Sequence, residues 1–220
     1  MLSLVDTECI ISGGGVSQKS DNMNHNISNI AAHYKHQLLQ AFPKELAQDV
    51  QSVIEILPFN PQFSISIQMY TVILETEKVT VPYRVYFEEP DPKNENALTN
   101  IQRRILHCIY LRHHNGFVRQ RRLEQLNNTM DIWEMPFKFN LLGEYVLEIL
   151  IVLNQQIKNS DIKFYCKFMN LNPTYWELTK QRIASYWNVY YRGPKFPKLS
   201  AYLGSQIVER LEKPNMYQKP

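Results

Sequence analysis

Glycine is scarce in this chain. There are seven in 220 residues, and three of them are Gly13, Gly14 and Gly15. Loops that cradle phosphate with backbone N–H groups need glycine. The sequence holds no Walker loop, no dinucleotide fingerprint, no Gly-x-Ser-x-Gly elbow and no kinase signature. Cysteine is scarce too. Cys9, Cys108 and Cys166 are odd in number and far apart, which excludes a disulfide framework and predicts reduced thiols. His107, Cys108, His113 and His114 match no zinc-finger spacing, and no Glu-x-x-His pair supports a di-iron bundle. Neither a metal nor a cofactor is therefore expected.

Long uncharged apolar runs are also missing. Residues 135–153 come nearest, but Lys138, Glu144 and Glu148 interrupt them. Three charges would cost roughly 7–10 kcal/mol in a bilayer, against about 4–8 kcal/mol gained from the apolar residues. No membrane span is expected. The start, Met1-Leu-Ser-Leu-Val-Asp, lacks the basic region and apolar run of a signal peptide, so a cytoplasmic protein is expected. The sequons at Asn26 and Asn127 would then have no compartment in which to act.

What is present is a window without acid. Between Asn96 and Leu123 stand Arg103, Arg104, Arg112, Arg119, Arg121 and Arg122, with His107, His113 and His114. The window has no lysine either. Arginine alone suggests forked hydrogen bonding to carboxylate or phosphate. The net charge of the whole chain is only +3, so the basic character is local.

Periodicity predicts a mainly α fold, an antiparallel bundle or short helical stack with a small β-hairpin near residues 63–87. Residues 1–27 read as a disordered tail, residues 28–212 as one helical domain, and residues 213–220 as a frayed end. Helices are expected over 29–41 and after Pro43. Thr99 with Gln102 predicts a capping box. Asn115-Gly116 is expected to close that helix in a left-handed conformation, with a second helix from Phe117. Asp131 with Glu134 resembles another capping box, opening one long apolar helix to Ile157. Further helices are expected over 161–169, from Thr174 to Tyr191, and over 201–211.

The stretch from Asn115 to Leu126 places Val118-Arg119 after a turn, with leucines following at core spacing. It resembles the turn and second-helix start of a HEAT-type repeat over about twelve residues, without the alanine common after Val-Arg. No second copy follows at a period of roughly forty residues. The resemblance implies stacked antiparallel helices.

Three groups of residues are candidate sites. Arg112, His113, His114, Arg119 and Arg122 form a candidate surface for an anion or acidic partner. The competing reading is internal ion pairing. Asn140, Glu144 and Glu148 would share one face of the long helix, where buried carboxylates need cations. Two carboxylates cannot pair six arginines, so part of the block should remain available. Arg103, Arg104 and Arg121 are expected to be solvated. Tyr186, Tyr191 and Arg192 are candidates for stacking on nucleic-acid bases. Trp176, Ile183, Trp187 and Tyr190 fit a core stripe.

The leading expectation is a non-enzymatic interaction or scaffold module that meets an acidic protein or a phosphate-bearing ligand. Binding of RNA or single-stranded nucleic acid is the second expectation. An enzyme using Glu144, Glu148, His113 and His114 is the third.

Overall fold

The computed structural model describes residues 32–59, 65–75, 77–126, 130–159 and 161–216. The expected N-terminal tail, Cys9, Phe63 and both sequons lie outside the described residues. The fold is mainly α with a two-stranded antiparallel sheet, as the periodicity predicts.

A helix over residues 32–39 (α1) leads through a 3-10 turn, Lys44–Leu46, into α2 (Ala47–Glu55). α2 buries Val50, Val53 and Ile54 on one face. β1 (Met69–Leu74) and β2 (Glu77–Pro82) then form the hairpin, in a register that pairs Val72 with Val79 and Met69 with Pro82. Alternation puts Val72, Leu74, Val79 and Val81 in the core. The Thr71 and Thr80 hydroxyls meet at 3.0 Å on the other face. Glu75 turns the hairpin at φ 51°, a left-handed conformation that costs a non-glycine residue some strain.

Pro82 cannot extend the ladder as a donor, and the next residues change partners. Tyr83 N–H bonds Gln68 O at 2.9 Å, while Val85 bridges both Ile65 and His113. Val85 N–H donates to Arg112 O at 2.9 Å, and His114 N–H returns to Val85 O at 3.0 Å. This strap lays residues 83–85 beside residues 112–114.

α3 (Pro92–Asn96) is followed by α4 (Asn100–Tyr110), which carries the predicted Thr99/Gln102 capping box. Asn115 does not end α4. Its φ is −79°, and its side chain caps the next helix, α5 (Gly116–Gln125), by accepting from Phe117 N–H at 2.9 Å. α4 instead closes at Leu111, whose N–H reaches His107 O and Cys108 O. α4 and α5 pack side by side, and α5 also packs on the later helix Leu147–Asn159.

The single long helix expected from Asp131 to Ile157 is divided. A 3-10 turn, Ile132–Glu134, precedes α6 (Met135–Asn140), and a second turn, Leu141–Gly143, precedes an extended Glu144 at φ −100°, ψ 155°. α7 (Leu147–Asn159) follows. Apolar content alone concealed this break. Asp131 and Glu134 do not form a capping box, because both carboxylates are taken by Arg104.

α8 (Lys163–Leu171) and α9 (Pro173–Tyr186) come next. α9 opens on Pro173, a first helical position that proline favours, rather than on Thr174. It runs on into a π turn, Trp187–Tyr191, closed by Arg192 N–H to Trp187 O at 2.8 Å. The wider turn rotates the helix face. Trp176 and Ile183 are core, but Tyr190 is 60% exposed. After a 3-10 turn, Leu199–Ala201, α10 (Leu203–Met216) packs on α7, α8 and α9 and passes the expected end near Leu211. Among the described residues no helix is long and apolar enough to cross a membrane.

Candidate functional site

Folding turns most of the Arg/His block inward. Arg112, Arg119 and Arg122 are 0%, 2% and 4% exposed. Their guanidinium groups need acceptors, since burying an unpaired charge costs several kcal/mol. The acceptors come from several segments, more than Glu144 and Glu148 alone.

Arg122 bonds Glu95 through Nη1 at 2.5 Å and Nη2 at 2.9 Å, and Glu89 through Nε at 2.7 Å. Its Nη1 also lies 3.2 Å from His107 Nδ1. Burial and the Arg122 charge push the His107 pKa down to about 4, so the imidazole is neutral and Nδ1 accepts. Burial works against ionisation of Glu95, yet the Arg122 hydrogen bond and charge outweigh it and hold that carboxyl below its usual value. Arg121, half-exposed, also pairs with Glu89.

Arg104 is another departure from expectation. Instead of being solvated it bridges Asp131 at 2.6 Å and Glu134 at 2.5 Å, and stacks over Trp133. Glu134 is fully buried and takes Lys138 Nζ at 2.7 Å on its other oxygen. Two carboxylates therefore meet two cations. Arg103 is partly buried and donates to Leu98 O at 3.1 Å.

The third group is different. Glu144, 3% exposed, receives Arg84 Nη2 at 2.9 and 3.1 Å and Arg119 Nη2 at 3.2 Å. Arg112 Nη1 lies 3.9 Å from the same carboxylate. Arg112 and Arg119 also donate to carbonyls, although the buried Arg119 Nε has no acceptor among the described residues. Arg112 Nη2 reaches Tyr83 O at 2.6 Å, and Arg119 Nη1 reaches His113 O at 2.7 Å and His114 O at 2.9 Å. The strap at residues 83–85 is what brings Arg84 and Arg112 together. The extended backbone at Glu144 lets its side chain reach them.

A fourth arginine, absent from the sequence candidates, completes the group. Arg182 of α9 sits over the Tyr83 ring at 5.7 Å, with Arg112 at 5.7 Å and Arg84 at 4.7 Å from the same centroid. Gly143 makes this approach possible, since a Cβ there would lie 3.3 Å from Arg182 Cδ. Among the described residues Arg182 makes no ion pair and no hydrogen bond. Three arginines thus gather about one carboxylate and a fourth lies over the adjoining Tyr83 ring, a local excess of three positive charges. A cavity of about 430 Å³ adjoins them, lined by Gln68, Met69, Tyr70, Tyr83 and Arg182.

The Glu/His pocket is not assembled. Glu144 is dry and occupied by arginines, whereas Glu148 is exposed in the first turn of α7. His113 is buried, with Nδ1 accepting from Asn115 N–H at 3.1 Å, and burial, helped by neighbouring His114, lowers its pKa. His114 is exposed and stacks on Tyr86. Asn140 leaves the supposed carboxylate face to bond Tyr175 Oη at 2.8 Å. Among the described residues no three His, Cys, Asp or Glu side chains converge as a metal-ligand set.

Nor do the stacking candidates act together. Tyr191 is turned inward, stacked on Tyr202 at 5.1 Å, and its hydroxyl donates to Tyr145 O. Arg192 lies over Trp187 and bonds Asn188. Tyr186 instead joins an aromatic group with Tyr145 (5.9 Å) and Tyr190 (6.0 Å), one helical turn beyond Arg182. Tyr145 and the 80%-exposed Phe117 line a second cavity of about 370 Å³ beside the first turn of α5.

The chain matches no known protein family, no curated protein and no solved structure. What its own coordinates define is a mainly α fold with a small hairpin, holding a largely buried, charge-unbalanced arginine group.

Proposed function

We propose that this chain is a non-enzymatic interaction module for an acidic protein partner. The observation that carries the reading is the imbalance around Glu144, where three arginines meet one carboxylate and a fourth, Arg182, lies over the neighbouring Tyr83 ring. The nearby surface supports it. Tyr145, Val189 and Tyr190 are 48%, 64% and 60% exposed, and tyrosines next to arginine are typical of protein-binding surfaces. Arg112, Arg119 and Arg122 act from within, holding the frame and its field, and Arg182 makes the surface contact.

The test uses the full chain as bait, against a variant carrying Tyr145→Ser, Tyr190→Ser and Arg182→Gln. The wild type should retain a reproducible partner with an acidic binding segment, released by added salt. The variant, with an unchanged circular dichroism spectrum, should lose it at least tenfold. Equal recovery by the two proteins, or a partner whose binding segment is neutral or basic, sinks the reading. A nucleic acid in place of a protein in the retained fraction also sinks it.

A further inference from the structure

We infer that the cavity between β1 and α9 is a phosphate-binding site, with Arg182 as its direct ligand. The inference rests on the reading of the Glu144 group as an anion-recognising surface and names the group that surface takes.

Several features converge on this cavity. Arg182 is the member of the group without a hydrogen-bond acceptor, and it lines the opening. Its stem runs beside Gly143 and its guanidinium lies 5.7 Å from the Tyr83 centroid, which reduces the side-chain entropy lost on binding. Tyr83 and Gln68 line the same cavity, and neither the Tyr83 hydroxyl nor the Gln68 carboxamide makes a hydrogen bond among the described residues. Each offers a neutral donor. No acidic residue lines the cavity. Behind Tyr83 stand Arg84 and Arg112, with Glu144 already shared by three arginines.

Charge selects phosphate over carboxylate. A phosphate monoester carries about −1.5 to −2 at neutral pH and has three strong acceptor oxygens. It offsets most of the local excess, whereas a carboxylate offsets one charge. An arginine fork also matches two phosphate oxygens at once. At about 430 Å³ the cavity has room for the group together with the carbon chain that bears it. Tyr70, stacked on Tyr175 at 5.3 Å, and Met69 supply apolar wall for that chain.

Isothermal titration of the full-length protein tests the site. The probes are inorganic phosphate, glycerol phosphate, a phosphoserine hexapeptide and acetate, with ionic strength held constant. Phosphate should bind saturably at one site, and acetate at least tenfold more weakly. Arg182→Gln should weaken phosphate at least tenfold, and Tyr83→Phe several-fold, with unchanged circular dichroism. Arg192→Gln, which removes an exposed cation elsewhere, should leave binding intact. Acetate binding as tightly as phosphate, an unaffected Arg182→Gln, or an equal loss in Arg192→Gln each overturns the site. So does the absence of saturable phosphate binding. Tighter binding of the phosphopeptide than of glycerol phosphate assigns the group to a phosphorylated partner. Equal binding assigns it to a small phosphate ester, and both outcomes support the site. Loss of phosphate binding alongside retained capture of an acidic partner would remove this inference and leave the proposed function standing.

Discussion

Around Glu134 and around Glu144 the chain buries charge in two different ways. Glu134 and Asp131 face Arg104 and Lys138, two anions against two cations. The Arg122 group follows the same pattern, with Glu89 and Glu95 against Arg121 and Arg122. Glu144 stands alone against Arg84, Arg112 and Arg119, with Arg182 above the shared tyrosine. A balanced buried network satisfies itself and needs nothing from outside. An unbalanced one carries unspent attraction for an anion. The difference separates arginines that build the fold from arginines that serve a ligand, although both kinds come from the same stretch of sequence.

Substitution can break this contrast. Glu144→Gln should have the largest effect, since it leaves three guanidinium groups without a counter-charge. A loss of about 3–5 kcal/mol is expected in urea unfolding. A cost under about 1 kcal/mol would show that the arginines are already satisfied by carbonyls and water.

Arg104→Gln should cost less, about 1–3 kcal/mol, because Glu134 keeps Lys138 and Asp131 is exposed enough to be solvated. If it cost more than Glu144→Gln, the ranking of the two networks would be reversed.

Acidification acts on the balanced Arg122 group. The folded pKa of His107 is pushed down to about 4, below the usual 6.5, so the unfolded chain binds the extra proton first. Stability from this group is therefore full above about pH 6.5 and declines toward pH 4, at a limiting slope of about 1.4 kcal/mol per pH unit. Glu95, also depressed, adds a loss in the same direction at lower pH. His107→Gln should flatten the upper part of that profile, and an unchanged profile would assign it to other groups.

Arg182→Gln should have the smallest effect on stability, within about 0.5 kcal/mol in the absence of ligand. Its guanidinium has no carboxylate to lose. A large destabilisation would make Arg182 another structural member of the network.

Much of the local structure was legible along the chain. The capping box at Thr99 and Gln102, the alternating hairpin and the helical stripes depend on neighbours a few residues apart. The break at Glu144 was not legible, because what holds it comes from Arg84 and Arg119, 60 and 25 residues away. Asn115 misled for a related reason. Its side chain can serve either helix end, and the strap at Val85 decides which. Tyr190 left its predicted core stripe because a π turn changed the period.

The candidate site divides in the same way. Internal pairing accounts for most of the acid-free window, and Arg84 joins it from outside. Arg182 stood outside the window, among the aromatics of residues 175–191 beside Arg192, and nothing in the sequence separated the two arginines. Composition and periodicity by themselves determined a mainly α protein with a small hairpin and a concentrated store of guanidinium groups. Which of those groups are spent and which stay open was decided by the tertiary structure alone. Electrostatic pairing acts through space over a few ångströms, and only folding sets which distant carboxylates come that close.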